Sequence, residues 1–548
     1  KSRRDRDPAP LRMPRPISRR PATARTTNYD KYARKPKKGG RLRTCALLLV
    51  LCLVVGYVVF AMSAILTISS EPAAAAAVVD DAIVTEEEEK MSVELDPRTG
   101  MMLPRFWEPP PGDLEDMVDK RDGEATIFLM IASYRDFQCR ETIASALSRA
   151  RFPGRIVVAA VQQNGEGDVG CAEPAVPCSE DPLQPLCARA SQIKVFEMNA
   201  DEASGPVYAR HIGYRMYRGE AYAMQVDAHV VFVNDWDVLI EKQWESAGNE
   251  MAVLSTYLTD LSGSIDENGD SKRKTRPIMC NSAFEGAPPA RYLRHGAQPE
   301  EEPVVHGQPM MQPFWAAGMS FARGHFIHRV PYDCCLPMVF MGEEISLGIR
   351  GWTHGYDMYT PEASVLFHEY ASRSKRRNKV HLFWENSGSK KKQRPDAARQ
   401  SLKRLTALIG MAPDVEKAGD YDRTDADIYG LGTKRSVELF YKLFLVDVER
   451  RESQPLCKFI KTGVMHRDFA AHMRPDKRGV DYSELEDYDT AAAIENELSE
   501  NHRPHGRQAL TKAMRMNERG WLKNAIDEAV RAEMDKSPVE EDRELLKK

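Results

Sequence analysis

Between residues 126 and 258, short apolar runs alternate with stretches of helical periodicity, and this alternation restricts the fold more than any other feature of the chain. "TIFLMIAS" (126–133), "RIVVAAVQ" (155–162), "QIKVFEM" (192–198), "AYAMQVDA" (221–228) and "MAVLSTYL" (251–258) have the length and apolarity of buried strands. Between them, "CRETIASALSRA" (139–150), "GPVYARHIGYRMYRGE" (205–220) and "NDWDVLIEKQWESAG" (234–248) read as helices, the last with Asn or Asp at its start. Strand–helix alternation predicts an α/β fold: a Rossmann-like, mostly parallel sheet flanked by helices. In such sheets ligands bind outside the carboxyl ends of the strands.

One strand ends where that rule places chemistry. "MQVDAHVVF" (224–232) runs into Asp227-x-His229. Residues two apart on an extended chain face the same way, so a carboxylate and an imidazole could grip one divalent cation. A hard oxygen with an imidazole suits Mn²⁺ better than a structural zinc site. The alternative is an Asp that ends a strand beside a hydrogen-bonded His. Far along the chain, "SVLF" reads as a strand that ends in His368, a third candidate ligand. Glu343 and Glu344 stand at the start of a predicted helix, either as site carboxylates or as acids favoured there by the helix dipole. The small residues Ala316, Ala317 and Gly318 would let backbone approach a ligand closely. Asp235 and Asp237, around Trp236, read as structural, one of them as a helix cap.

A set of motifs in fixed order goes further. "IASYRD" (131–136), "QQ" (162–163), "GPVYAR" (205–210), "GEAYAMQVDAHVVFVNDWD" (219–237), "VPYD" (330–333), "GEE" (342–344), "GWTHGYDMYTP" (351–361), "FHEY" (367–370) and "YGLGTKR" (429–435) resemble the polypeptide α-N-acetylglucosaminyltransferases that modify hydroxyproline of the Skp1 protein or mucin-type Thr/Ser. The resemblance covers about 125–450. It implies a GT-A fold, UDP-N-acetylglucosamine as donor, a divalent cation (Mn²⁺ or Mg²⁺), and transfer with retention to a Thr/Ser or hydroxyproline hydroxyl of a protein acceptor. Asp227-Ala228-His229 stands where family members show Asp-Ser-His, which keeps both ligand types. On this reading Asp227, His229 and His368 hold the metal, and Ser133, Tyr134, Arg135 and Arg210 approach the nucleotide. Glu343 or Glu344 orients the sugar or the acceptor hydroxyl. Arg135 reads equally as a surface salt bridge. Front-face attack and double displacement through a carboxylate both remain open.

Segments outside this region suggest a setting. Residues 45–68, "CALLLVLCLVVGYVVFAMSAILTI", carry no charge over 24 residues. As a helix they would span roughly 36 Å, against a hydrocarbon core of about 30 Å. Residues 1–44 hold 16 Lys/Arg against 3 Asp/Glu, or +13; the rest of the chain holds 61 against 78, or −17. A basic arm can bind nucleic acid, but one placed just before an apolar span fits the positive-inside rule instead. The expected order is a cytosolic tail (1–44), a transmembrane helix (45–68), a stem (69–123), a catalytic domain (124–460) and a charged extension (461–548). That is a single-pass type II Golgi or secretory-pathway protein with a lumenal catalytic domain. Eight of the ten cysteines then face an oxidising lumen. The spacing of Cys171, Cys178 and Cys187 is poor for zinc and predicts a loop-stapling disulfide of unassigned pairing. A metal-dependent glycan hydrolase and a non-catalytic sugar-binding scaffold are the competing readings.

Overall fold

The computed structural model describes residues 92–286, 291–377, 382–383 and 394–500. The expected cytosolic tail, the expected transmembrane helix, residues 69–91 of the stem and the extension beyond 500 lie outside them. The chain divides into two units, Lys1–Glu86 and Glu87–Lys548, and all the described residues belong to the second. No helix among the described residues is long and apolar enough to cross a membrane.

Ten strands place the site: β1 (Ile127–Tyr134), β2 (Ile156–Asn164), β3 (Ile193–Asn199), β4 (Tyr222–Asp227), β5 (Val230–Phe232), β6 (Ala252–Ser255), β7 (Met310–Met311), β8 (Met319–Arg323), β9 (Asp357–Thr360) and β10 (Leu366–His368). Eight of them form one sheet in the order β7-β9-β6-β8-β4-β1-β2-β3. Four neighbouring pairs are parallel (β3/β2, β2/β1, β1/β4 and β6/β9) and three are antiparallel. The sheet is therefore mixed but mostly parallel. β1 lies inside the parallel block, and its residues 127–131 are all buried, which is why an unbroken apolar run marks it. The antiparallel strand β8 carries Ser320 and Arg323, whose polar groups find internal partners in Trp315 and Glu250. An apolar-run pattern does not capture such a strand.

Helices α1 (Cys139–Arg149), α2 (Pro206–Tyr214), α3 (Trp236–Ser246) and α4 (Glu343–Thr353) complete the frame. Proline is the first residue of α2, where its missing N–H costs nothing. α2 lies hard against β1: a Cβ on Gly213 would stand 2.7 Å from Met130 Sδ. The helix stops at Tyr214, short of the expected 220. Its last turns tighten (Met216 N to Gly213 O at 3.0 Å), and Gly219, at φ +97°, turns the chain toward β4. The predicted Asp cap of α3 is corrected. Asp235 occupies the cap position at φ 55° but makes no capping bond, and its carboxylate pairs with Arg151 instead. Asp237 is structural, as expected: it accepts from the N–H groups of Arg151 and Phe152 at 2.7 and 3.2 Å and from Arg155 Nε at 3.1 Å.

The packed unit extends past both expected domain limits. Residues 93–95 pair with 102–104, Leu103 is buried, and Glu115 takes both guanidinium ends of Arg329 at 2.6 and 2.9 Å. On the far side, Phe469, Val480, Tyr482 and Leu485 lie in the main core. The C-terminal segment has few large apolar residues, but these four are buried, so its charge-rich composition does not mark an edge of the fold. Among the described residues, four disulfides join Cys139–Cys171, Cys178–Cys187, Cys280–Cys457 and Cys334–Cys335. Cys178–Cys187 is the expected loop staple, while Cys171 ties the same loop to α1.

Candidate metal and donor site

β1, β2, β3 and β4 run parallel and end at one edge of the sheet, so Ser133, Gln162 and Asp227 gather there. Contrary to the expectation from their spacing, Asp227 and His229 do not lie on one extended strand. β4 stops at Asp227, and Ala228-His229 form a turn rather than two more strand residues. Thr142 of α1 holds that turn: its hydroxyl lies 2.9 Å from Ala228 O and accepts from Val230 N at 3.1 Å. β5 then leaves the main sheet and pairs with β10 in a separate ribbon, with His368 opposite Val230. The ribbon brings a residue nearly 140 positions away next to His229. The two imidazole centroids stand 4.3 Å apart, nearly perpendicular.

Asp227, His229 and His368 each offer a ligand atom, and all three atoms lie within 4.8 Å of one another. His368 Nε2 is 3.5 Å from Asp227 Oδ2. Ligands bound at about 2.1 Å to a shared ion stand roughly 3–4 Å apart, so the separation of His368 and Asp227 fits one cation. Burial alone would raise the Asp227 pKa, but His368, His229 and Arg210 overcome it and hold the carboxyl well below its usual range. Burial lowers the pKa of His368 despite its contact with Asp227, which favours neutral imidazole. An ionised carboxylate and neutral imidazole are the forms a metal ligand needs. The other grouping of ligand types among the described residues, Asp333, Cys334 and Cys335, does not fit a metal, because its sulfurs are bonded to each other and Asp333 pairs with Arg404.

Arg210 extends the site. From α2 its guanidinium reaches Asp227 Oδ1 at 3.3 Å and Glu343 Oε1 at 3.5 Å, with the Tyr332 ring beneath it. Glu343 and Glu344 do open α4, as expected, but they differ in role. Glu344 Oε1 accepts from Ala317 N–H and Oε2 from the Tyr257 hydroxyl, both at 2.8 Å, so it anchors the 315–318 segment. Glu343 is buried, and its Oε2 has no partner. Burial, then repulsion from Glu344, pushes its pKa up to about 8 against the opposing charge of Arg210. The small residues before β8 make room for protein rather than leaving space for a ligand: a Cβ on Gly318 would stand 3.2 Å from Asp227 Oδ2.

Residues 126–450 match the family model described as "Glycosyltransferase (GlcNAc)". The chain belongs to this glycosyltransferase family. No curated protein matches it. Among solved structures, similarity is found to GalNAc-T7 with UDP, GalNAc and Mn²⁺, at 15% identity and a TM-score of 0.37, covering 60% of this chain and 58% of that one. The mannosyltransferase PcManGT from Pyrobaculum calidifontis, in complex with GDP-Man and Mn²⁺, gives 9% identity and a TM-score of 0.29, covering 76% and 90%. S. aureus TarS 1–349 with UDP-GlcNAc gives 10% and 0.29, covering 69% and 92%. Scores this low leave the chemistry to be read from the site itself.

The remaining expected contacts of the glycosyltransferase sit along the same edge. Ser133 is buried at the end of β1, and its hydroxyl has no partner. Tyr134 follows it, half-buried. Arg135 is engaged by a salt bridge from its Nε to Asp168 at 2.6 Å, which turns it to the loop after β2. Asp136, one residue on, meets the site directly: its Oδ2 lies 2.9 Å from His229 Nδ1. Sequence reasoning passed over Asp136. Its local signals were its place as the last residue of the "IASYRD" motif and just beyond the carboxyl end of a buried parallel strand.

The high pKa of Glu343 has a measurable consequence. Between the ordinary 4.5 and about 8, the folded chain keeps a proton here that the unfolded chain has released. This stabilising contribution is fully present below 4.5 and is lost as pH rises through about 8. Glu343→Gln should flatten that dependence. Melts of the metal-free protein at about pH 5 and about pH 8 check it, and equal slopes for both proteins would contradict the assignment.

Proposed function

We propose that the chain is a metal-dependent retaining glycosyltransferase of GT-A type that moves N-acetylglucosamine from UDP-GlcNAc to a Thr/Ser or hydroxyproline hydroxyl of a protein. The convergence of Asp227, His229 and His368 at the carboxyl edge of the parallel strands, in a chain of this family, carries the reading. A divalent cation, Mn²⁺ or Mg²⁺, held by these three residues would neutralise charge on the departing diphosphate. Arg210 adds a fixed cation beside Asp227, aimed where negative charge develops. Ser133 offers its unpartnered hydroxyl to the nucleotide, and Tyr134 borders the same edge. Glu343, protonated near neutral pH, can donate a hydrogen bond to a sugar or acceptor hydroxyl. A neutral carboxyl is a poor nucleophile, which favours front-face attack, in which the leaving phosphate oxygen takes the acceptor's proton.

The test is to incubate the purified chain with UDP-GlcNAc, Mn²⁺ and Thr-rich or hydroxyproline-bearing peptides. UDP release and peptide glycosylation, both abolished by chelation, are expected. Release of sugar from a glycan without any nucleotide would favour a hydrolase and overturn the proposal. We further propose that 45–68 anchors the protein in a Golgi or secretory-pathway membrane with the catalytic domain lumenal. Four disulfides in the described residues suit such a compartment. Protease added to intact microsomes should trim the basic tail and spare the domain; digestion of the domain instead would reverse the topology.

A further inference from the structure

His229 has two ring nitrogens, and only one can face a cation shared with Asp227 and His368. The other, Nδ1, is taken by Asp136 Oδ2 at 2.9 Å. The Asp136 carboxylate divides its work between its two oxygens. Oδ1 accepts from the backbone N–H of Gln138 at 3.0 Å, which suffices for a local turn just before α1. Oδ2 faces the imidazole. Arg377 Nη1 bridges both oxygens, at 3.1 and 2.9 Å, and also reaches Gln138 Oε1 at 2.5 Å. Gln138 Nε2 in turn donates to Glu369 Oε2 at 2.6 Å, and Glu369 follows His368. The Glu369 N–H donates to His229 O at 3.0 Å. The bonds thus close a ring through His229, Asp136, Gln138 and Glu369, and the buried Arg377 is joined to it at Asp136 and Gln138.

We propose that Asp136 is a positioning residue for the cation site: it accepts the Nδ1 proton of His229, fixes that tautomer, and leaves the Nε2 lone pair toward Asp227 and His368. Arg377, contributed by the segment after β10, locks the carboxylate in the orientation this requires. A carboxylate partner of this kind sets both the ring angle and the basicity of a ligating imidazole, and its loss costs about 10- to 100-fold in metal affinity. The inference rests on the cation reading of the Asp227, His229 and His368 cluster, and its test separates the two.

Mn²⁺ alone is titrated into the full chain without donor or acceptor, and the free ion is followed by its electron paramagnetic resonance signal. Asp136→Asn keeps the shape but removes the charge. The double variant Asp136→Asn with Arg377→Gln also removes the guanidinium that the first change strands. Both should bind Mn²⁺ about 10- to 100-fold more weakly. The metal-free melting temperature of the double variant should stay near that of the unaltered chain, which a purely structural role for Asp136 would not allow. A folded double variant with unchanged Mn²⁺ affinity would overturn the positioning role and leave the cation site standing. Absence of Mn²⁺ binding by the unaltered chain would overturn both.

Discussion

Asp227→Ala is expected to leave a folded chain whose donor turnover falls by at least about a thousandfold. Asp227 is the one carboxylate among the three grouped ligands, and it is also the nearer partner of Arg210. Without it, a cation would be left with two imidazoles, and the charge balance that holds Arg210 between Asp227 and Glu343 would be lost. The fold should survive because Asp227 is the last residue of its strand and its ladder contact is made by backbone, N–H to Gly318 O at 3.3 Å. Arg210 keeps Glu343 as a partner. Release of UDP from UDP-GlcNAc with Mn²⁺ measures the effect, and a thermal melt confirms the fold. Full turnover by a well-folded variant would remove Asp227 from the chemistry.

Ten residues on, Asp237→Ala should act through stability instead. Its carboxylate and the Arg155 guanidinium are both fully buried, 3.1 Å apart. Removing one partner of such a pair costs about 3–5 kcal/mol, because the other charge is left in the interior. Arg155 Nη1 keeps Glu241 at 2.6 Å, which places the expected loss toward the lower end of that range. The N–H groups of Arg151 and Phe152 also lose their acceptor. Urea titration should show the earlier midpoint, while turnover well below the transition stays close to normal. Adding Arg155→Leu should recover part of the loss. A change below about 1 kcal/mol in the single variant would mean that the pair behaves like a solvent-exposed one.

These two aspartates also show how far the sequence could be read. The parallel strands were legible because burial on both faces demands continuous apolar runs, and β1, β2 and β4 begin within a residue of where those runs do. Asp227 and His368 could be located as strand ends, and the structure brings both to one edge. What patterns cannot give is the reason they meet. The turn at Ala228-His229 and the β5/β10 ribbon depend on pairing between segments more than 130 residues apart. β8 was missed because its polar residues are satisfied internally rather than by solvent. Glu343 and Glu344 looked equivalent side by side. Only the tertiary partners, Arg210 for one and Tyr257 with the Ala317 N–H for the other, tell them apart. Asp136 was given no role in the sequence beyond closing the "IASYRD" motif, since Arg377, which fixes its carboxylate, comes from 241 residues away.

The bond between Cys280 and Cys457 reaches past residue 450, where the family match ends. A protein trimmed to that match would lose one sulfur and carry the other as a free thiol, able to cross-link neighbouring molecules. It would also uncover the surfaces that Phe459 and Phe469 now close. Recombinant versions meant to stay monodisperse should therefore run at least through Leu485.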